Sequence, residues 1–568
     1  MLLETKSMET QDPLESVTPV NVSSYLREMA ARQPYKRAVV APIGRDKAGR
    51  VTYTQLNFQQ LDQESDRVAR GLDDAGIKRG VRTILMVKPC LEFFVLTFAM
   101  FKVGAVPVVV DPGMGIKRML NCFQECSPRA FIGIPLAHVV RTLYPKFFKS
   151  VNTWVTVGKR WFWSGLTYDQ LRGKAWEPYE TAATTRDELA AILFTTGSTG
   201  PAKGAVYSHG NFYAQIQHIR AHFDIAPDEI DLPTFPLFAL FDPALGMTAI
   251  IPDMDPTKPA LVDPDKIIEP IVNHGVTNMF ASPALLNRVG GYGKANGVKL
   301  PSLRRVVSAG APVAPANIEQ FSSMLSEQAQ IHTPYGATEA VPIISIASRE
   351  ILSETRARSE SGYGTCVGYP LENLDIEIIG INDDPIEQWA DTLAVPDGEI
   401  GEIVVKGKHV TRGYYNNPKA DAVAKITDDV NGGFWHRMGD LGWRDSKGRI
   451  WFCGRKNHRV ETADGSLYSV PCEAIFNNHP EVFRSALVGI GEFPRQEPVM
   501  CIELQPDLES LDKKRIEREL LDLAEDTELT KNIKIILFHK AFPVDIRHNS
   551  KIFREKLKVW AEKKLGTS

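Results

Sequence analysis

The sequence lacks several things that would otherwise fix its class. It has no basic start followed by an apolar centre, as a signal peptide would; Met1 to Val20 instead mixes Glu4, Lys6, Glu9, Asp12 and Glu15 with few apolar residues. That stretch reads as a disordered leader on a cytoplasmic protein. No run is apolar enough to span a bilayer, because the richest region, Leu91 to Val110, is interrupted by Glu92, Lys102 and Pro107. It is expected to be a buried helix followed by a strand. The seven cysteines are scattered, and the one close pair, Cys122 and Cys126, sits at single-helix spacing with no second pair to complete a metal site. Reduced thiols are expected. There is no excess of positive charge either: a net charge of −3 gives no electrostatic reason to expect nucleic acid. No internal repeat is evident.

What is present is an ordinary globular composition, 43% apolar and 24% charged, in 568 residues. That length asks for at least two folding units. The first half alternates strands and helices: a helix from Asn21, a strand at Ala38 to Ala41, a helix carrying Leu61, Val68 and Leu72 and stopping at Gly76, a strand at Arg82 to Val87, a helix at Leu91 to Lys102 and a strand at Ala105 to Val110. This pattern predicts an α/β fold of layered sheets and helices. Uninterrupted Val and Ile runs such as Val106 to Val110 suit a sheet covered on both faces.

The most informative stretch is Thr195-Thr196-Gly197-Ser198-Thr199-Gly200-Pro201-Ala202-Lys203-Gly204, set between the apolar runs Leu189 to Phe194 and Ala205 to Tyr207. Hydroxyls, glycines and one lysine between two strands make a cradle of N–H and O–H donors for polyphosphate oxygens. It is not a Walker loop, in which Gly-Lys-[Ser/Thr] opens a helix. Further on, Ser308-Ala309-Gly310-Ala311-Pro312 is a strand entering a small-residue turn against which a flat ring could lie; a plain structural turn is the alternative. His332 to Glu339 reads as a loop with Tyr335 to stack on a base, Gly336, Ala337, Thr338, and Glu339 as a hard oxygen ligand for Mg²⁺; a solvated polar loop is the alternative. Asp440 is a candidate acceptor for ribose hydroxyls and Arg455 a second ribose or phosphate contact, against the reading that they form a surface ion pair. After Arg455 the chain becomes briefly basic and polar, and a last stretch of about 110 residues has domain length. Domains are therefore expected at 1–20 (leader), 21–456 and 457–568. Lys551 alone would be a surface lysine before an amphipathic helix.

Taken together, these segments resemble in order and spacing the adenylate-forming superfamily of acyl-CoA synthetases, luciferases and peptide-synthetase adenylation domains. The resemblance covers nearly everything after the leader. It implies a large adenylation domain with a β-rich subdomain and a small mobile α+β C-terminal domain turning about Asn457. It also implies ATP and Mg²⁺ as cofactors. Thr195 to Lys203 would hold pyrophosphate, Gly310-Ala311-Pro312 and Tyr335 to Thr338 the adenine, Asp440 and Arg455 the ribose, and Glu339 the metal. Lys551, in Ser550-Lys551-Ile552, would bridge acyl carboxylate and α-phosphate; Lys203, Glu339 and Lys551 are the implied catalytic set.

Departures from the superfamily's pattern bear on the substrate. Ala239 stands where many acyl-CoA synthetases have His, Asn457 where the hinge is usually Asp, and Glu461 and Asp464 lie where the thiol acceptor's channel is expected, which would repel coenzyme A phosphates. These features look like the group that closes β-lactones in bacterial long-chain olefin biosynthesis. That resemblance implies a long-chain 2-alkyl-3-hydroxy acid as substrate, its own 3-hydroxyl as nucleophile, and an α/β-hydrolase-type decarboxylase and a short-chain reductase as pathway neighbours. His209 and His436 are candidate bases, and Phe235 to Phe241 with Ala281 to Leu286 the expected acyl pocket. An acyl-CoA or acyl-carrier ligase and a non-catalytic nucleotide-binding scaffold are the other readings.

Overall fold

The computed structural model describes residues 20–173, 176–195, 202–235, 240–506, 512–544 and 551–566. The leader to residue 19, Thr196 to Gly200, and Pro236 to Ala239 lie outside the described residues.

Two seven-stranded sheets dominate the first part. One runs, edge to edge, through Gln330–His332, Arg305–Ser308, Asn278–Ala281, Ile230–Pro233, Thr248–Ile250, Arg37–Arg45 and Val51–Asn57. The other runs through Leu166–Thr167, Thr153–Thr156, Ala130–Gly133, Arg82–Met86, Val106–Val110, Leu189–Thr195 and Lys203–Ser208. Each is parallel except for one antiparallel edge strand, which is why interior strands such as Val106–Val110 carry no polar alternation. Helices Phe58–Asp74 and Leu91–Lys102 pack between the sheets in one core with Val39 and Ala249 of the first and Leu85 and Ile132 of the second. A helix apolar all round is what this slot requires.

The stretch before the second helix is a strand, Val51–Asn57, paired antiparallel with Arg37–Arg45; Asn57 then caps that helix by accepting from the Gln60 backbone N–H at 2.7 Å. One local difference from the sequence reading has a simple cause. Tyr335 to Glu339, read as a loop, contains the strand Tyr335–Ala337, which folds back on Ala340–Ser345 as a hairpin. It opens an antiparallel third sheet continuing through Thr365–Pro370, Ile450–Arg455, Phe434–Arg444, Gly401–Lys406 and Asp375–Ile379. From Val460 on, two apolar clusters are built only from later residues. They join strands Val482–Ile490, Glu497–Leu504 and Ile535–Phe538 to helices Ser469–Asn477, Lys513–Glu525 and Arg554–Leu565.

The polar interruption at Lys102 has a structural account. Its ammonium is fully buried and lies 2.6 Å from Asp62 Oδ1 and 2.6 Å from Asp66 Oδ1, while Arg27 reaches Asp66 from outside at 2.7 Å. A lone charge there would be very costly; the paired network satisfies it. Replacing Lys102 with Met should therefore cost about 3–5 kcal/mol, by stranding a buried carboxylate. Urea unfolding checks this, and a loss under ~1 kcal/mol would show that Arg27 suffices for Asp66.

Candidate active site

The strands Leu189–Thr195 and Lys203–Ser208 pair antiparallel with Thr195 opposite Lys203. Lys203 is thus the first residue of the second strand. Gly204 follows it because a Cβ there would stand 2.9 Å from both Ile192 Cγ2 and Phe194 Cζ. The strand continues into contact with the third sheet's loops: Val206 N–H donates to Gly413 at 3.0 Å and Tyr415 N–H to Gly204 at 2.8 Å.

That contact sets the centre of the site. Tyr414 is held beside Lys203, whose Nζ lies 4.9 Å from the ring centroid, and its hydroxyl donates to Glu339 Oε1 at 2.7 Å. The Glu339 backbone carbonyl accepts from Thr411 N–H at 2.8 Å, and Tyr207 donates to the carbonyl of Thr338. Glu339 thus stands on a short connection between two paired strands, fixed on both sides. Burial and the Glu339 charge push the Tyr414 hydroxyl far up, so it stays a donor. Lys425, which sequence reading passed over, is buried close by: it donates to Thr411 O, and burial lowers it to about 7 although Glu339 and Asp421 oppose the shift. Its signal is visible only in three dimensions, since nothing in Ala424-Lys425-Ile426 marks it.

Tyr335 and Asp440 meet at the other end of the same hairpin, with the Tyr335 hydroxyl 2.6 Å from Asp440 Oδ2. Arg455 faces Asp440 directly across the strand pair, its Nη1 3.0 Å from Oδ1. This is not a surface pair, because Asp440 is buried. Burial pushes its carboxyl up despite Arg455, and the Asp440 charge raises Arg455 in turn. Oδ1 accepts no well-aligned hydrogen bond, so it keeps lone pairs for hydroxyl donors. Gly310 has φ +96°, a left-handed turn that a side chain would strain. Next to it, Ala309 and Pro334 line an apolar cavity that also takes in Phe241, Phe280 and Val341. Of the two segments expected in the acyl pocket, Phe241 of Phe235 to Phe241 lines this cavity, whereas Ala281, Leu285 and Leu286 are fully buried in the neighbouring core; Phe280, the strand residue before Ala281, lines the cavity as well.

The cavity wall carries an unexpected pair. Asp231 and Asp242 are both buried, hydrogen-bonded to each other, with Asn278 donating to Asp231 and Asp242 Oδ2 unpartnered. Burial raises Asp231 to about 7, and burial with the Asp231 charge raises Asp242 well above its usual range. The pair therefore holds a proton at neutral pH.

The remaining predicted residues divide. Lys551 begins the described segment whose Ile552 pairs with Val544, and its charge, with those of Arg554 and Arg455, helps lower His458. Arg554, three residues on, is clamped to Glu473 at 2.6 Å. Asn457 sits in the short 3-10 turn Lys456–His458, with Lys456 reaching Glu402 at 2.9 Å and Arg459 paired with Asp383 and Glu461. That last pairing corrects the charge argument: Glu461 is neutralised by Arg459 at 2.6 Å and accepts from Ser466, so it does not present a free negative charge to a phosphate. His209 accepts from Val22 N–H at 3.2 Å and is lowered to about 4 by burial; His436 is buried with Nδ1 3.2 Å from Ala424 O, and burial lowers it too. Both have structural partners. Cys122 and Cys126 are buried on one helix face, and all seven cysteines are free thiols.

With the site in place, its likenesses can be read against it. The family model for AMP-binding enzymes matches residues 26–415. A protein of Xanthomonas campestris pv. campestris described as olefin beta-lactone synthetase is 46% identical over 549 residues, covering 96% of this chain and 98% of its own. One of the same description from Stenotrophomonas maltophilia is 47% identical over 554 residues, covering 96% and 99%. Among solved structures, the anthranilate CoA ligase AuaEII in complex with anthranoyl-AMP superposes with a TM-score of 0.77 at 19% identity, covering 97% and 99% of the two chains. The o-succinylbenzoate CoA synthetase of Bacillus subtilis, bound to ATP and magnesium ion, gives 0.72 at 20%, covering 94% and 99%. These two speak for the fold.

The protonated pair fixes a pH dependence. With Asp231 raised in the folded chain above its unfolded value, the native state holds the extra proton; its stabilisation is complete below about pH 4 and lost as pH rises to about 7. In Asp231→Asn the fall of unfolding free energy across that window should be shallower by about one proton's slope. Urea titrations at several pH values would show it, and parallel curves for variant and parent would refute the shared proton.

Proposed function

Since this chain belongs to the AMP-binding enzyme family, we propose that it is an ATP-dependent, AMP-forming ligase that converts a long-chain 2-alkyl-3-hydroxy acid to a β-lactone. The observation that carries the product is the near full-length identity of 46% and 47% to the two proteins described as olefin beta-lactone synthetase. The geometry supports the first half-reaction. Lys203, the hairpin residues Tyr335 and Glu339, and Asp440 and Arg455 come from distant stretches of chain yet act on one another: Tyr414 links Lys203 to Glu339, and Asp440 and Arg455 feel the Glu339 charge.

In this reading the substrate carboxylate attacks the α-phosphorus of ATP, an acyl-adenylate forms and pyrophosphate leaves. Two anions must approach each other, so fixed positive charge is needed where negative charge gathers. Lys203 stands on the pyrophosphate side, with Thr195 to Gly200 as donors there. Asp440, ion-paired with Arg455 through Oδ1, would accept the ribose hydroxyls on its remaining lone pairs. Gly310, Ala311 and Pro312 would hold the adenine together with Tyr335 to Thr338, Tyr335 being the ring that would stack on the base. Glu339 offers Oε2 to Mg²⁺, since Tyr414 takes Oε1; the ion bound there would screen the phosphate charges. Lys551 joins from the C-terminal domain, residues 457–568, which turns about Asn457. The Arg459–Asp383 pair and the bond from Asn478 Nδ2 to Glu360 O are among the contacts that such a turn would break. In the second step the 3-hydroxyl oxygen attacks the acyl carbon, the bond to AMP breaks, and the hydroxyl proton passes to the medium. The nucleophile is already attached to the electrophile, so no external acceptor is needed. The pathway chemistry asks for a short-chain reductase to supply the hydroxy acid and a decarboxylase of α/β-hydrolase type to consume the lactone.

Incubation with ATP, Mg²⁺ and a 2-alkyl-3-hydroxy acid should give a β-lactone by NMR without coenzyme A. A product seen only when a thiol is supplied would favour the acyl-CoA ligase reading instead. Lys551→Ala should lower acid-dependent pyrophosphate exchange by 100-fold or more, as loss of a charge contact made in the transition state does, while ATP binding by calorimetry is largely kept. Unchanged exchange would remove Lys551 from the catalytic set.

A further inference from the structure

From Ser127 to Tyr168 the chain contains no Asp or Glu, yet carries Arg129, Arg141, Lys146, Lys149, Lys159 and Arg160. In a protein of net charge −3 this is a strong local excess of one sign. The same stretch displays the largest cluster of exposed apolar side chains among the described residues. Helix Pro135–Leu143 exposes Leu136 (67%) and Leu143 (68%), seven positions apart and so on one side of the helix, with half-buried Val139 and Val140 between them. Alongside, the turn after Thr153–Thr156 exposes Trp161 (55%) and Phe162 (76%). The turn is not a loose end. Trp163 beneath it stacks on His138 of the helix, with ring centroids 5.2 Å apart, and donates to Thr156 at 3.0 Å; Arg141 reaches Ser164 O at 3.4 Å. Two aromatic side chains are therefore held outward by a packed base, flanked by the exposed Lys159 and Arg160.

We infer that this face docks the protein on an anionic phospholipid bilayer. Outward Trp and Phe beside an aliphatic stripe suit the headgroup boundary, where an aromatic ring is half solvated. Lysines and arginines with no carboxylate among them are drawn to a negative leaflet and can keep their ammonium and guanidinium groups in the headgroups while their stems lie on apolar surface. No helix of the described residues is long and apolar enough to cross a membrane, so attachment is peripheral and reversible. An acidic protein would meet the charge but has no use for so apolar a centre. The inference goes beyond the proposed reaction and does not depend on it, though a bilayer is also where a long-chain acid partitions.

The full chain should co-sediment with vesicles of phosphatidylcholine containing phosphatidylglycerol, much less with phosphatidylcholine alone, and lose binding as salt rises from 0.05 to about 0.5 M. Lys159→Glu/Arg160→Glu should weaken binding to the anionic vesicles about 30-fold or more, from roughly fivefold for each basic residue lost near the surface. Trp161→Ser/Phe162→Ser should abolish a blue shift of tryptophan fluorescence on vesicle addition. All four positions are exposed, so thermal unfolding and turnover of detergent-dispersed acid should match the parent. Absence of vesicle binding, or binding that neither double variant alters, overturns the inference. So does self-association or capture of an acidic protein that depends on these residues while vesicles are ignored.

Discussion

The hydrogen bond from Tyr414 to Glu339 is the point where otherwise independent parts of the chain become one site. Glu339 sits in a hairpin of the third sheet, Tyr414 on a connection that packs against the Lys203 strand of the second, and the backbone bonds from Val206 to Gly413 and Tyr415 to Gly204 hold the two together. A hydroxyl raised this far by burial and by the Glu339 charge does not ionise, so it stays a donor at every working pH. Glu339 and Lys203 are thereby positioned by one side chain, Tyr414, that has no role in the sequence motifs. Preorganisation of this kind is what turns a cluster of charges into a place where new charge can form cheaply.

Much of the fold was legible because its signals are local and periodic. Leu91–Lys102 has the bounds that its composition and the following Gly104 suggest, and the two strands flanking Thr195 to Gly204 are paired as a hairpin. Asp440 and Arg455 were visible as polar residues in apolar strands, but only the register of Phe434–Arg444 on Ile450–Arg455 makes them face each other and buries the carboxylate. The strand at Tyr335–Ala337 was not legible, since three residues give no alternation to read; its pairing comes from Ala340–Ser345 beyond it. Lys425, Asp231 and Asp242 were missed for a related reason. A charged residue in a sequence reads as exposed by default, and burial against distant partners is a property of the fold.

The same consideration changes the weight of Glu461. As a sequence feature it argued against a phosphate-bearing acceptor through repulsion, yet in the folded chain Arg459 cancels it at 2.6 Å. Long-range repulsion from a paired carboxylate is small beside solvent screening. The case for lactone over thioester therefore does not rest on electrostatics near the hinge; it rests on the full-length likeness and on the economy of an internal nucleophile.

That economy places a demand on the acyl cavity rather than on an acceptor channel. An intramolecular attack needs the 3-hydroxyl turned toward the acyl carbon while both alkyl branches are held, and the branches must be held by apolar walls without trapping the hydroxyl elsewhere. Phe241, Phe280 and Val341 supply such walls. The Asp231–Asp242 pair is the exception, a buried polar group facing the same space with one oxygen unpartnered. Its strand neighbour Asn278 lies opposite Arg305, whereas Ser308, at the adenine turn, lies opposite Ala281 three residues on. At about 3.3 Å per residue the pair lies roughly 10 Å along the sheet from Ser308. A shared proton keeps this stretch of wall neutral enough to meet hydrocarbon; as free carboxylates the two would repel each other.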